Sequence, residues 1–130
     1  MRYEHTITVP AKTIQSAPYV ENAYLAIGVL ERVLIRFPMG CFNQVFITVS
    51  DGLQQIVPGS PDSNINGNNQ IYDIPMKHRL TSPPFSLLVA GWSTLCEFDH
   101  SITLWFDVVE GYEVDQKSMI ETLTYLGGAV

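Results

Sequence analysis

At 130 residues the chain suits one domain with a modest core, and a second domain would have nothing left to bury. Apolar residues make up 46% and charged residues only 15%, which excludes disorder by composition. The formal net charge of −6, with seven of the thirteen acids between Glu97 and Glu121 against Lys117 alone, argues against a nucleic-acid face, which needs clustered cations.

The opening MRYEHTITVP has no apolar signal-peptide core and no apolar run reaches membrane-spanning length, so synthesis in a cytoplasm is expected. Its alternation, with Tyr3, His5, Ile7 and Val9 on one side, predicts a half-buried strand. A Pro-rich connection, VPAKTIQSAPYVEN, leads to AYLAIGVLERVLIRFP. There Leu25, Ile27, Val29, Val33, Ile35 and Phe37 share a face that only Glu31 interrupts. A helix competes for this stretch, but Gly28 and the β-branched residues favour one long strand or two joined by a bend.

NQVFITVS alternates Val45, Ile47 and Val49 with polar or aromatic neighbours, Asp51-Gly52 marks a hairpin, and LQQIV returns from it. QIYDI and HRLTS are expected as strands split by Pro75, followed by FSLLVAGWS and by DHSITLWFDVVE, whose Ile102, Leu104, Phe106 and Val108 point one way. The predicted fold is all-β: an antiparallel β-sandwich or jelly roll of seven to eight strands over residues 1–113, with residues 1–17 a candidate N-terminal arm. In the tail, 114–130, Ser118 and Glu121 have capping-box spacing, and Met119, Ile120, Leu123 and Leu126 share one face of a short helix before Gly127-Gly128.

The segment DSNINGNNQIYD, residues 62–73, imitates a calcium loop, with oxygen side chains at positions one, three and five, Gly at six and Asp at twelve. Pro58, Pro61 and Pro75 forbid the flanking helices of an EF-hand. Asp62, Asn64, Asn66 and Asp73 remain a candidate calcium set in a β-loop. The favoured reading is a polar loop whose Asn, Gly and Ser serve turn conformations.

No zinc spacing occurs, no glycine loop cradles a phosphate, and no cofactor or catalytic residue is assigned. Cys96, Glu97, Asp99 and His100 form the densest polar cluster, but adjacent strand residues point to opposite faces. One is expected to cap a strand while another packs inward. Trp92, Trp105 and the tyrosines are candidate sugar-stacking surfaces, though more simply core or interface residues. Cys41 and Cys96 are expected to be buried thiols, with a bridge between them left open.

RVLIRFPMGCFNQVFITVSDGLQQIVPG and PPFSLLVAGWSTLCEFDHSITLWFDV carry a Phe37-Pro38 strand end, Gly40-Cys41, Asp51-Gly52, a Pro58 exit, and Trp92 followed by Asp99-His100. In this order they resemble the small single-domain β-sandwich virion proteins of tailed bacteriophages over roughly residues 3–110. The resemblance implies a non-enzymatic capsid cement or decoration protein, or a subunit near the head-to-tail junction. It also implies a homo-oligomer, a trimer being favoured, that contacts the major capsid protein. The N-terminal arm, 1–17, and the C-terminal helix are the expected contact surfaces, because terminal segments can cross to a neighbour cheaply. The competing expectation is a carbohydrate- or receptor-binding sandwich, with or without the help of calcium, and a hydrolase built on Cys96, Glu97, Asp99 and His100 ranks last.

Overall fold

The computed structural model describes residues 1–52, 54–60, 63–80 and 83–110. The expected C-terminal helix and the rest of the 114–130 tail lie outside them. Nine strands run through the described residues: β1 (Arg2–Val9), β2 (Tyr19–Tyr24), β3 (Gly28–Phe37), β4 (Phe46–Asp51), β5 (Gln54–Val57), β6 (Ile65–Asn66), β7 (Gln70–Leu80), β8 (Ser86–Trp92) and β9 (His100–Glu110). They form two antiparallel sheets, β1-β9-β3-β7 and β2-β8-β4-β5, with the two-residue β6 added beside β4. Consecutive strands repeatedly cross from one sheet to the other, and the order in each row is that of a jelly roll, which decides between the topologies left open by the sequence.

The inward residues of both sheets meet in one core. Ile7, Val9, Leu30, Val33, Ile35, Phe37, Ile47, Val49, Leu87, Val89 and the whole series Ile102, Leu104, Phe106 and Val108 are buried. The last strand carries this series without interruption because its apolar residues keep a strict period of two over the full length of the β1-β9-β3 ladder. Gly91 lets the two sheets meet closely: a Cβ there would sit 2.6 Å from Val9 Cγ2 and 3.0 Å from Ile47 Cδ1.

Three expectations are corrected. β2 begins inside the Pro-rich connection and runs on through Ala23 and Tyr24, and its inward positions, Glu21 and Ala23, give no apolar alternation to read. The face expected for β3 changes parity at Glu31. Leu30 pairs with Val108 and Arg32 with Asp107, so two steps on β3 match one on β9 and Glu31 is the extra residue of a bulge. The inward residues are therefore Gly28 and Leu30 before it and Val33, Ile35 and Phe37 after it, and Val29 does not belong to the series. Pro75 does not split β7, because β7 is an edge strand and a proline there, next to the register shift opposite Leu30 and Arg32, interrupts no continuous ladder.

The outer face of the β1-β9-β3-β7 sheet is polar. Arg2 grips Asp107 through Nε (2.7 Å) and Nη2 (3.0 Å), Arg32 reaches Asp73 (3.0 Å), and hydroxyls pair at Thr8–Ser101 (2.9 Å) and Thr6–Thr103 (3.3 Å). This face has few apolar members, chiefly Ile71, Leu34 and Trp105.

Candidate functional site

The 62–73 segment is where the sequence most invites a metal. Asp62 lies outside the described residues. Asn64 is exposed, Asn66 belongs to β6 in one sheet and Asp73 to β7 in the other, where it pairs with Arg32. The asparagines serve the backbone instead. Asn68 Oδ1 accepts from the amides of Gly40 (3.0 Å) and Phe42 (3.1 Å), and Asn66 Nδ2 donates to the Asn43 carbonyl (3.0 Å). The Asn43 amide donates in turn to the Gly67 carbonyl (3.2 Å). Nearby, the Gln55 amide nitrogen gathers the carbonyls of Pro58 (2.9 Å), Ser60 (3.0 Å) and Ser63 (2.9 Å), so the preceding loop is also organised by a side-chain amide. Among the described residues no three His, Cys, Asp or Glu side chains group as a metal site.

What the asparagines hold is the β3–β4 connection, residues 38–45. Phe42 (φ +49°) and Asn43 (φ +60°) both sit in the left-handed region, a conformation non-glycine residues adopt only when their surroundings fix it. The result is that Met39 and Phe42 are turned outward, 76% and 71% exposed.

The β8–β9 connection, residues 93–99, stands beside it and is tied to the β1–β2 connection. Lys12 N donates to Cys96 O (3.1 Å), Ser93 N to Thr13 O (3.0 Å), and Ser93 Oγ to Pro10 O (2.7 Å). Asp99 of the CEFDH cluster accepts from the Ala11 amide (2.8 Å), while His100 begins β9 opposite Val9. Asp99 therefore fastens a loop, as a strand-capping residue should. Glu97 is exposed, and Leu95 and Phe98 are each 75% exposed.

Cys41 and Cys96 lie beneath these loops as free, buried thiols. Burial pushes both thiols above their ordinary range, and for Cys41 the neighbouring Cys96 adds to the effect. A thiol held protonated is a poor nucleophile. Gly40, Cys41, Phe42, Leu95, Cys96 and Phe98 line a cleft of about 230 Å3, with Glu97 and His100 at its margin.

Trp92 and Trp105 separate in role. Trp92 is buried and stacks on Phe46, with ring centroids 5.7 Å apart and planes 16° from parallel. Trp105 is half-buried on the polar outer face, between Glu4 and Leu34 in the ladder.

The residues that sequence reasoning passed over are Met39, Phe42, Leu95 and Phe98. Their signal was present: PMGCFN and TLCEFD place large apolar residues inside turn-rich connections, off the period of any strand.

The fold and this end together define a jelly-roll domain with an ordered, apolar loop surface. No family model matches the chain, and no curated protein matches it. Among solved structures, a chain from the work "Bacillus endospore appendages form a novel family of disulfide-linked pili" aligns with 84% of this chain and 88% of its own length, at 12% identity and a TM-score of 0.42.

Proposed function

We propose that the chain is a non-enzymatic structural protein of a bacteriophage virion, a capsid cement or decoration protein that works as a symmetric homo-oligomer against the major capsid protein. The virion assignment comes from the sequence resemblance. The observation that supports an assembly role is the loop end itself: four large apolar side chains about three-quarters exposed, on connections cross-tied by backbone hydrogen bonds. Holding apolar groups in water is unfavourable, and rigidifying them there lowers the ordering entropy lost when a partner covers them. Cement proteins act by burying area over several shell subunits at once, so modest contacts multiply through avidity.

The test is co-sedimentation of the purified chain with shells of the phage that encodes it, prepared without this protein. Stoichiometric binding with a raised temperature of shell rupture is expected. Shells that neither bind the chain nor gain heat resistance would remove the assignment.

A second reading, a carbohydrate- or receptor-binding sandwich, is favoured by Trp105. Its ring lies on an outer face between Glu4 and Leu34, with Thr103 and Asp107 on the same side of its strand, a setting in which an indole can stack on a sugar while polar groups bind its hydroxyls. Here a glycan screen should return a ligand lost in Trp105→Ala. Trp92, covered by Phe46, is not available for this role.

A further inference from the structure

We infer that the apolar loop end is a contact between copies of this chain, and that Phe42, Leu95 and Phe98, with Met39 beside them, are its centre. The inference rests on the assembly reading above and names the surface that closes the oligomer. It is a different surface from the terminal arm expected from the sequence, because Arg2–Val9 of that segment is built into the sheet as β1, with Ile7 and Val9 fully buried.

Two observations choose a second copy as the occupant. The first is area. Four side chains of roughly 200 Å2 each, exposed to between 71% and 76%, offer about 600 Å2 per copy. Two such ends facing each other bury about 1,200 Å2, the lower bound for a specific interface, and a larger ring buries more. The second is charge. The chain carries −6, so copies repel on average, yet among the described residues at this end Arg36 shares a cleft with Asp99, and Lys12 is tied by its amide to Cys96, next to Glu97. His100 and Asp99 line a shallow cleft with Arg36 immediately beside the apolar one. Both signs of charge are therefore present here, and an acidic residue of one copy can face a basic residue of the next.

The loops are also set for it before contact. Asn68 holds Gly40 and Phe42, and Asp99 holds Ala11, so the apolar side chains stand on a fixed backbone. Association then loses little loop entropy.

The experiment is the molar mass of the full chain by light scattering behind a sizing column, for the native sequence, Phe98→Glu, Leu95→Glu and Tyr24→Glu. Tyr24 is 67% exposed at the opposite end and serves as the control for an added charge. The native chain and Tyr24→Glu are expected to run as the same oligomer. Phe98→Glu and Leu95→Glu are expected to run as monomers with unchanged circular dichroism, since neither residue contributes to the core. A native monomer overturns the inference, as does an oligomer that survives both loop variants. Shell binding, measured separately, distinguishes the two ideas. A monomer that binds shells through Phe98 assigns this end to the shell protein and overturns the self-contact alone. An oligomer that ignores shells removes the virion reading and leaves the self-contact standing.

Discussion

Asp107 and Arg2 face each other on the outer side of the β1–β9 ladder, and the two hydrogen bonds from Arg2 hold the Asp107 carboxyl below its ordinary range. A depressed folded-state value means that the pair's contribution is present above the unfolded value, near pH 4, and is lost as pH falls through the folded one. Asp107→Asn should therefore lower stability slightly at neutral pH, by an amount kept small because the pair is solvent-screened, and remove the same small loss as pH falls below about 4. Thermal melts across that window would check it. On the alkaline side Cys41 and Cys96 act before the Tyr19 hydroxyl, which its hydrogen bond to Glu21 holds protonated. Burial raises both thiols, so their contribution is intact below the unfolded thiol value and declines as pH rises past about 8.5. A thiol-reactive disulfide probe should find no fast-reacting cysteine in the native protein at neutral pH and two after unfolding. Rapid native labelling of either would contradict the burial argument.

Among the elements, the 38–45 connection depends most on a single side chain. Asn68→Ala removes the acceptor shared by Gly40 N and Phe42 N, leaving two donors to find water or distort the left-handed turn at Phe42 and Asn43. A loss of about 1–2 kcal/mol is expected, with faster amide exchange confined to residues 38–45 and slow exchange kept in β9. Protection lost evenly across both sheets would mean that the asparagine acts on the whole fold. This clamp also shows what the sequence reveals and hides. β1, β4 and β9 were legible because each keeps a period of two along its length, and β8 because its unbroken apolar run is bounded by turn residues. β2 was hidden because its inward Glu21 and Ala23 mimic a loop, and β3 was misread in parity because a bulge leaves no mark in sequence beyond the misplaced Glu31. The asparagine cluster was visible as composition, yet its partners, Gly40, Phe42 and Asn43, are 23 to 28 residues away and only the fold brings them together. The apolar end was illegible for the same reason. Residues 39–42 and 95–98 become one surface only when β3 and β9 lie side by side.

At the scale of the molecule, a two-sheet sandwich has two open sides, and in this protein each is crossed by a histidine meeting a carboxylate. On one side His78 of β7 lies 2.6 Å from Asp51 at the end of β4. On the other, His5 of β1 lies 3.0 Å from Glu21 of β2, off hydrogen-bonding alignment, while Glu21 also accepts from the Tyr19 hydroxyl at 2.7 Å. In both pairs the histidine comes from the β1-β9-β3-β7 sheet and the acid from the other, so each contact resists the sheets parting at their edges. The His78 pair has the better geometry and joins strands that share no backbone ladder, β7 and β4. It should therefore show a measurable coupling: a double-mutant cycle of His78→Gln and Asp51→Asn is expected to give about 1 kcal/mol between them. His5→Gln with Glu21→Gln should give less, because the imidazole is misaligned and Glu21 keeps the tyrosine hydroxyl. The order of the two couplings, rather than either alone, is the informative result. If the His5 cycle equals or exceeds the His78 cycle, the sheets are not held at the β7 side as the distances imply, and the edge there is secured by the ladder to β3 alone.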